Sequence, residues 1–137
     1  MNLCITFSAI PSGTAMPDTF FLSAFTVQAL LNPDNLDIAT LGGENALRCP
    51  NGLRLTLPLP RPAITLRIGT WAGPARVEAF AADGTSLGHQ MVHTPNGYSN
   101  LTVSTPAGHA PIHHLTLTEG NHEANLASAC IEITVSD

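Results

Sequence analysis

The chain has 137 residues, the length of one domain spanning 1–137, and a domain of this size buries roughly two-thirds of its unfolded surface without needing a metal or disulfide to fold. Only 11% of its residues are charged, the formal net charge is −5, there is no lysine, and the basic residues are Arg48, Arg54, Arg61, Arg67 and Arg76. So few cations exclude a general nucleic-acid binder, which must displace many counterions, and a polybasic membrane anchor; no apolar run approaches the roughly 18 residues of a membrane helix.

Met1 to Pro11 is apolar but lacks the basic n-region of a signal peptide. Within it Leu3 to Phe7 reads as a strand. Asn32 to Asn45 reads mostly as loop, with room for one short helical turn. From there period-2 alternation takes over. Leu53, Leu55, Leu57 and Leu59 alternate with Arg54, Thr56 and Pro58, and Ile64, Leu66 and Ile68 alternate with Thr65 and Arg67. Val77 and Ala79, Leu101 and Val103, Leu115 and Leu117, and finally Ile131, Ile133 and Val135 continue the pattern. Such alternation gives strands with one buried and one wet face. Pro58, Pro60 and Pro62 should break the chain between two of them, and Gly73-Pro74 marks a turn. Asp83-Gly84 and Asn96-Gly97 are hairpin signals. Short strands with regular turns predict an all-β, two-sheet antiparallel sandwich.

The residues that carry chemistry are sparse. Six histidines offer no local chelate: His113 and His114 are neighbours on a strand and should face opposite ways, while His89 and His93 lie about 13 Å apart if extended. The carboxylates, among them Asp18, Asp34, Asp37, Glu44 and Glu78, are scattered with no marked acid–base pair, and no nucleophile elbow or phosphate loop is present, so the chain reads as a non-enzyme. Arg54 with Thr56, Thr65 with Arg67, and Arg76 with Glu78 are outward sets on three successive strands. They form either one arginine-rich surface or a solvated face of cross-strand pairs such as Arg67 with Glu78. Trp71 at a strand end and Tyr98 in a turn are placed either to stack on a ligand or to plug the end of the core. His93, Asn96 and Asn100 lie near them in sequence and add imidazole and amide groups suited to hydroxyls.

Several segments together resemble bacterial jelly-roll sandwiches of the galactose-binding-like type. They are Cys4-Ile5-Thr6-Phe7-Ser8, Pro11-Ser12-Gly13-Thr14, Gly52 to Pro58, Ala63 to Gly69, Val77 to Phe80 with Asp83-Gly84, Ile112 with Leu115-Thr116-Leu117, and Asn121-His122-Glu123-Ala124 before the strand carrying Cys130. Such domains occur on secreted and surface proteins, many bind sugars and many carry a structural calcium ion. Cys4, Cys49 and Cys130 read as three buried thiols, or else Cys4 pairs with Cys130: the resemblance implies first and last strands side by side, hence a Cys4–Cys130 disulfide with Cys49 left as a thiol. It also implies a Ca²⁺ site drawing on Asn121, Glu123 and Asn125, all expected in a loop before the last strand. The expected function is a carbohydrate-binding module, extracellular or at the cell surface, with Trp71, Tyr98, His93, Asn96, Asn100 and Arg67 as its ligand contacts. The alternative is a structural or assembly subunit. Low charge, many threonines and sheet edges without lysine would then serve a protein partner or a homo-oligomer.

Overall fold

Alternating apolar residues make two sheets whose inner faces close on each other. The computed structural model describes residues 1–31 and 36–133. Among these the strands are β1 (Asn2–Thr6), β2 (Thr19–Leu22), β3 (Phe25–Ala29), β4 (Asp37–Leu41), β5 (Glu44–Arg48), β6 (Leu53–Arg61), β7 (Ala63–Thr70), β8 (Ala75–Phe80), β9 (Ser86–Val92), β10 (Gly97–Ser104), β11 (Ile112–Glu119) and β12 (Asn125–Glu132). One sheet runs β10-β7-β12-β5-β4, with β1 also on β12; the other runs β2-β3-β6-β11-β8-β9, and all pairings are antiparallel. The expected jelly-roll-type sandwich is the fold observed.

The inner faces interdigitate over one core. From the first sheet come Ile5, Ile38, Leu47, Ile64, Leu66, Ile68 and Ile131; from the second come Phe25, Val27, Leu53, Leu55, Val77, Leu115 and Leu117, all essentially inaccessible. Each such side chain contributes roughly 1.5–3 kcal/mol by leaving water. Cys4 pairs with Cys130 across β1 and β12 and the two are disulfide-bonded, with Cα atoms 4.1 Å apart. Cys49 stays a buried thiol and donates to the Ala124 carbonyl at 3.4 Å.

Several local expectations are corrected. Residues 37–48 are not loop but the β4–β5 hairpin, which buries Ile38, Ala46 and Leu47; residues 32–35 of that stretch lie outside the described residues, as do Asp34 and Val135. Pro58 and Pro60 do not end a strand: both lie inside β6. They fall where β6 pairs with neither neighbour, since β3 pairs only with 53–56 and the β11 register jumps from Thr56 to Arg61. No ladder amide is demanded there, so proline costs little. Asp83-Gly84 closes the β8–β9 hairpin, with Asp83 accepting from the Thr85 amide at 2.9 Å. Asn96-Gly97, by contrast, carries the chain from β9 in one sheet to β10 in the other.

The irregularity in β11 also brings His113 and His114 together. They do not face apart: their Nδ1 atoms are 2.9 Å from each other, so one imidazole donates to the other. His114 is 8% exposed and stacks on Phe80 with ring centroids 5.0 Å apart. Burial, with the Arg54 guanidinium and His113 close by, holds its pKa below the ordinary 6.5. The unfolded chain therefore takes up a proton that the native protein refuses, and stability falls as pH drops below that value. His114→Phe keeps the stack and removes the titration. Its melting temperature should lose less than the wild type's between about pH 6.5 and pH 5, a comparison that thermal unfolding at both pH values makes directly.

Candidate functional site

The outer face of the first sheet gathers the polar and aromatic groups. Register sets them in rows: Tyr98 of β10 lies beside Gly69 of β7, which lies beside Asn125 of β12; Asn100, Arg67 and Ser128 form the next row. Arg67 donates through Nε and an Nη to the two oxygens of Glu44 at 2.8 and 2.6 Å, and through its other Nη to Asn100 at 3.1 Å. Those bonds hold the Glu44 carboxyl below its ordinary pKa. Its guanidinium carbon also sits 4.9 Å from the centre of the Tyr98 ring.

Arg54 and Arg76 are on the other sheet, so the three arginines do not share a surface. Nor does Arg67 meet Glu78. Glu78 accepts from Arg76 at 3.2 Å and from Ser86 at 2.7 Å instead, because β7 and β8 belong to different sheets.

Tyr98 is not at a loop tip. It is the second residue of β10, its ring reaches across the sheet face, and its hydroxyl donates to the Leu41 carbonyl at 2.7 Å. Burial raises its pKa. Trp71, in the turn after β7, meets the Tyr98 ring edge-on, with centroids 5.7 Å apart and planes at 88°. Tyr98 thus stands between Arg67 and Trp71, with its ring packed edge-on against the indole.

Gly69 makes this convergence sterically feasible. A Cβ there would lie 2.5 Å from Asn125 Oδ1, 2.6 Å from Trp71 Cζ3 and 2.9 Å from Tyr98 Cε1. Asn125 is 1% exposed, and neither its Nδ2 nor its Oδ1 has a hydrogen-bond partner among the described residues. An amide buried this way costs on the order of 1–3 kcal/mol.

Away from Tyr98, Trp71 borders a cavity of about 210 Å³ with Leu41, Arg48, His122 and Glu123. Arg48 is held by a two-pronged ion pair with Asp37, at 2.6 and 2.5 Å. His122 Nδ1 is 2.9 Å from the Pro50 carbonyl. His122 and Glu123 are delivered by an unusual turn: Glu119, Gly120, Asn121 and His122 all have positive φ, between 54° and 75°. Three of these are not glycine; Asn121 tolerates a left-handed backbone, whereas Glu119, at φ 66° and ψ −141°, and His122 are held at a cost on the order of 1–3 kcal/mol each. Gly120 is obligatory, since a Cβ there would meet Ala124 Cβ at 2.7 Å. Strain of this kind concentrates where a surface is shaped for binding.

Of the anticipated contacts, Trp71, Tyr98, Arg67 and Asn100 fall on one face. His93 touches it through Nε2, 3.4 Å from the Trp71 carbonyl, and Asn96 is an exposed turn residue with φ 57°. The sequence reading missed Leu41, Arg48 and His122, and assigned Glu123 to a metal. The calcium trio is split. Asn121 and Glu123 are exposed in the turn, whereas Asn125 is not in that loop but opens β12, with its amide sealed against Gly69. One carboxylate and one exposed amide do not fit an ion that takes six to eight oxygens. Among the described residues no three His, Cys, Asp or Glu side chains converge on a metal position.

No protein-family model matches the chain, and no curated protein matches it in sequence. Solved structures do resemble it. A low-affinity xylan-binding module from the gut symbiont Roseburia intestinalis is similar over 99% of this chain and 98% of its own, with a TM-score of 0.50 at 13% identity. The chain shares these modules' fold. A family 29 carbohydrate-binding module is similar over 96% of this chain and 90% of its own, with a TM-score of 0.53 at 6% identity. At such identities the likeness is one of architecture, and the site has to be argued from its own residues.

Proposed function

We propose that this domain is a non-catalytic carbohydrate-binding module whose primary contact is Trp71. The observation that carries the reading is the indole at the wall of a small cavity rimmed by Arg48, His122 and Glu123. A pyranose offers an apolar face to stack on an aromatic ring and a rim of hydroxyls for charged and imidazole groups. Tyr98 holds the ring before any ligand arrives, so little ordering is left to oppose binding. The Asn125 amide, without a partner among the described residues, and the strained turn that delivers His122 both lower stability, which fits groups kept for recognition. Two solved structures of similar architecture are carbohydrate-binding modules, one of them a xylan binder.

The Cys4–Cys130 disulfide favours an oxidising compartment, and so a secreted or surface location. No helix among the described residues is long and apolar enough to cross a membrane. A screen of the wild type against neutral plant and bacterial polysaccharides should give hits that quench the fluorescence of Trp71, the sole tryptophan. A screen without hits counts against the assignment.

The second reading, an assembly subunit, draws on one observation. Phe21 on the edge strand β2 is 76% exposed, and Leu31 and Met91 are 56% and 48% exposed. A size that grows with concentration in the absence of sugar would favour that reading.

A further inference from the structure

The same face holds a second opening, where the sheet is interrupted. Strand β12 is flanked along one edge by two strands laid end to end: β5 pairs with Asn125 and Leu126, and β1 takes over from Ser128 onward. Ala127 between them has no register partner in either ladder, nor in the ladder to β7, which slips at the same point. The gap is a cleft of about 460 Å³ lined by Thr6, Ser8, Glu44, Asn45 and Ser128. That volume lies within the roughly 300–1,000 Å³ of small-molecule sites.

No aromatic ring lines it, and its surface is as apolar as it is polar. The hydroxyls of Thr6, Ser8 and Ser128 have no partner among the described residues, whereas Glu44 is fixed by Arg67 and Asn45 donates to the Ile10 carbonyl at 2.9 Å. Unspent hydroxyls around a positioned carboxylate match a hydroxyl-rich, uncharged ligand: the Glu44 charge is already answered by Arg67.

The two openings flank one turn. Leu41 lines the Trp71 cavity, Glu44 lines the cleft, and the two face each other across Gly42-Gly43. Both glycines have positive φ, and the crest carries no side chain; a Cβ on Gly43 would touch nothing within 4 Å. We infer that the cleft is a second subsite, so that the domain reads an oligosaccharide passing from Trp71 over the Gly42-Gly43 crest to the Ser128 hydroxyl, and not a single terminal sugar. This inference rests on the carbohydrate reading of Trp71.

The test is calorimetric titration with neutral β-1,4-linked xylo- and gluco-oligosaccharides, from mono- to hexasaccharide. In the wild type, affinity should rise at least about tenfold from mono- to tetrasaccharide. Ser128→Leu fills the cleft from an outward position, and Gly43→Asn places a left-handed-tolerant side chain on the crest. Each should pull the tetra-to-monosaccharide ratio towards one. Using both guards against a folding defect in either, checked by thermal unfolding. A wild type that binds these sugars with a ratio unmoved by both variants overturns the second subsite alone. A wild type that binds none of them, nor any polysaccharide of the screen above, overturns the Trp71 assignment and this inference with it.

Discussion

Replacing Cys4 and Cys130 together by serine should lower stability by about 4–5 kcal/mol, the chain-entropy value for so long a loop. The bridge closes a sequence separation of 126 residues, so it restrains almost the whole unfolded chain. Both side chains lie outside the core, beside the Thr6 and Ser128 pair on the outer face, so serine creates no apolar cavity. Thermal unfolding should show a drop of roughly 10–20 °C, matched by the wild type in reductant. A change of only a degree or two would mean that β1 is held by its ladder and core contacts, Ile5 and Phe7 above all, and that the disulfide adds little.

The second large effect is expected at Gly69. Gly69→Ala is sterically costly although its backbone is ordinary: the new methyl meets an amide oxygen, an indole and a phenol ring at once. Overpacking of this kind costs typically 1–3 kcal/mol. Relief has to come from Trp71, which sits in a turn, more than from Asn125 or Tyr98, which sit in strands. The variant should therefore remain folded while the Trp71 emission maximum shifts red and sugar affinity falls about tenfold or more. An unchanged emission spectrum with unchanged affinity would show that the three groups relax without moving the ring.

The contrast between these two sites shows what the sequence makes legible. Strands such as β6, β7 and β11 announce themselves, because one face is leucine or isoleucine and the other threonine or arginine. β4 and β5 do not: Ala39 and Ala46 on the outer face carry no polar signal, and Gly42-Gly43 reads as loop until the strands on either side are recognised. β9 is missed for the opposite reason, being an edge strand that is mostly exposed and so never alternates. Family likeness and a strand-like setting for both cysteines point to the disulfide, but the residues alone read as well as three buried thiols.

The site was half legible. Trp71 and Tyr98 stand out as the rare large aromatics of a chain with 5% aromatic residues. Their shared face with Arg67 follows only from the register of β7 with β10, which no local pattern gives. Arg48, Leu41 and His122 reach Trp71 from a hairpin and a left-handed turn far away in the chain, and nothing in their spacing marks them. Asn125 looked like a loop oxygen donor because the start of β12, Asn-Leu-Ala-Ser-Ala, lacks strong alternation. In the folded chain it is a buried amide under an indole.

Whether Trp71 binds carbohydrate is decided by Trp71→Ala. The variant and the wild type should be titrated with the polysaccharide that the wild type selects, alongside thermal unfolding and sedimentation of both. Trp71→Ala should be folded and of unchanged size, with an affinity that falls about a hundredfold or more, the loss of a contact worth roughly 2–3 kcal/mol. A variant that binds as well as the wild type and only melts earlier would contradict that expectation, and would make Trp71 a cap on the end of the sheet.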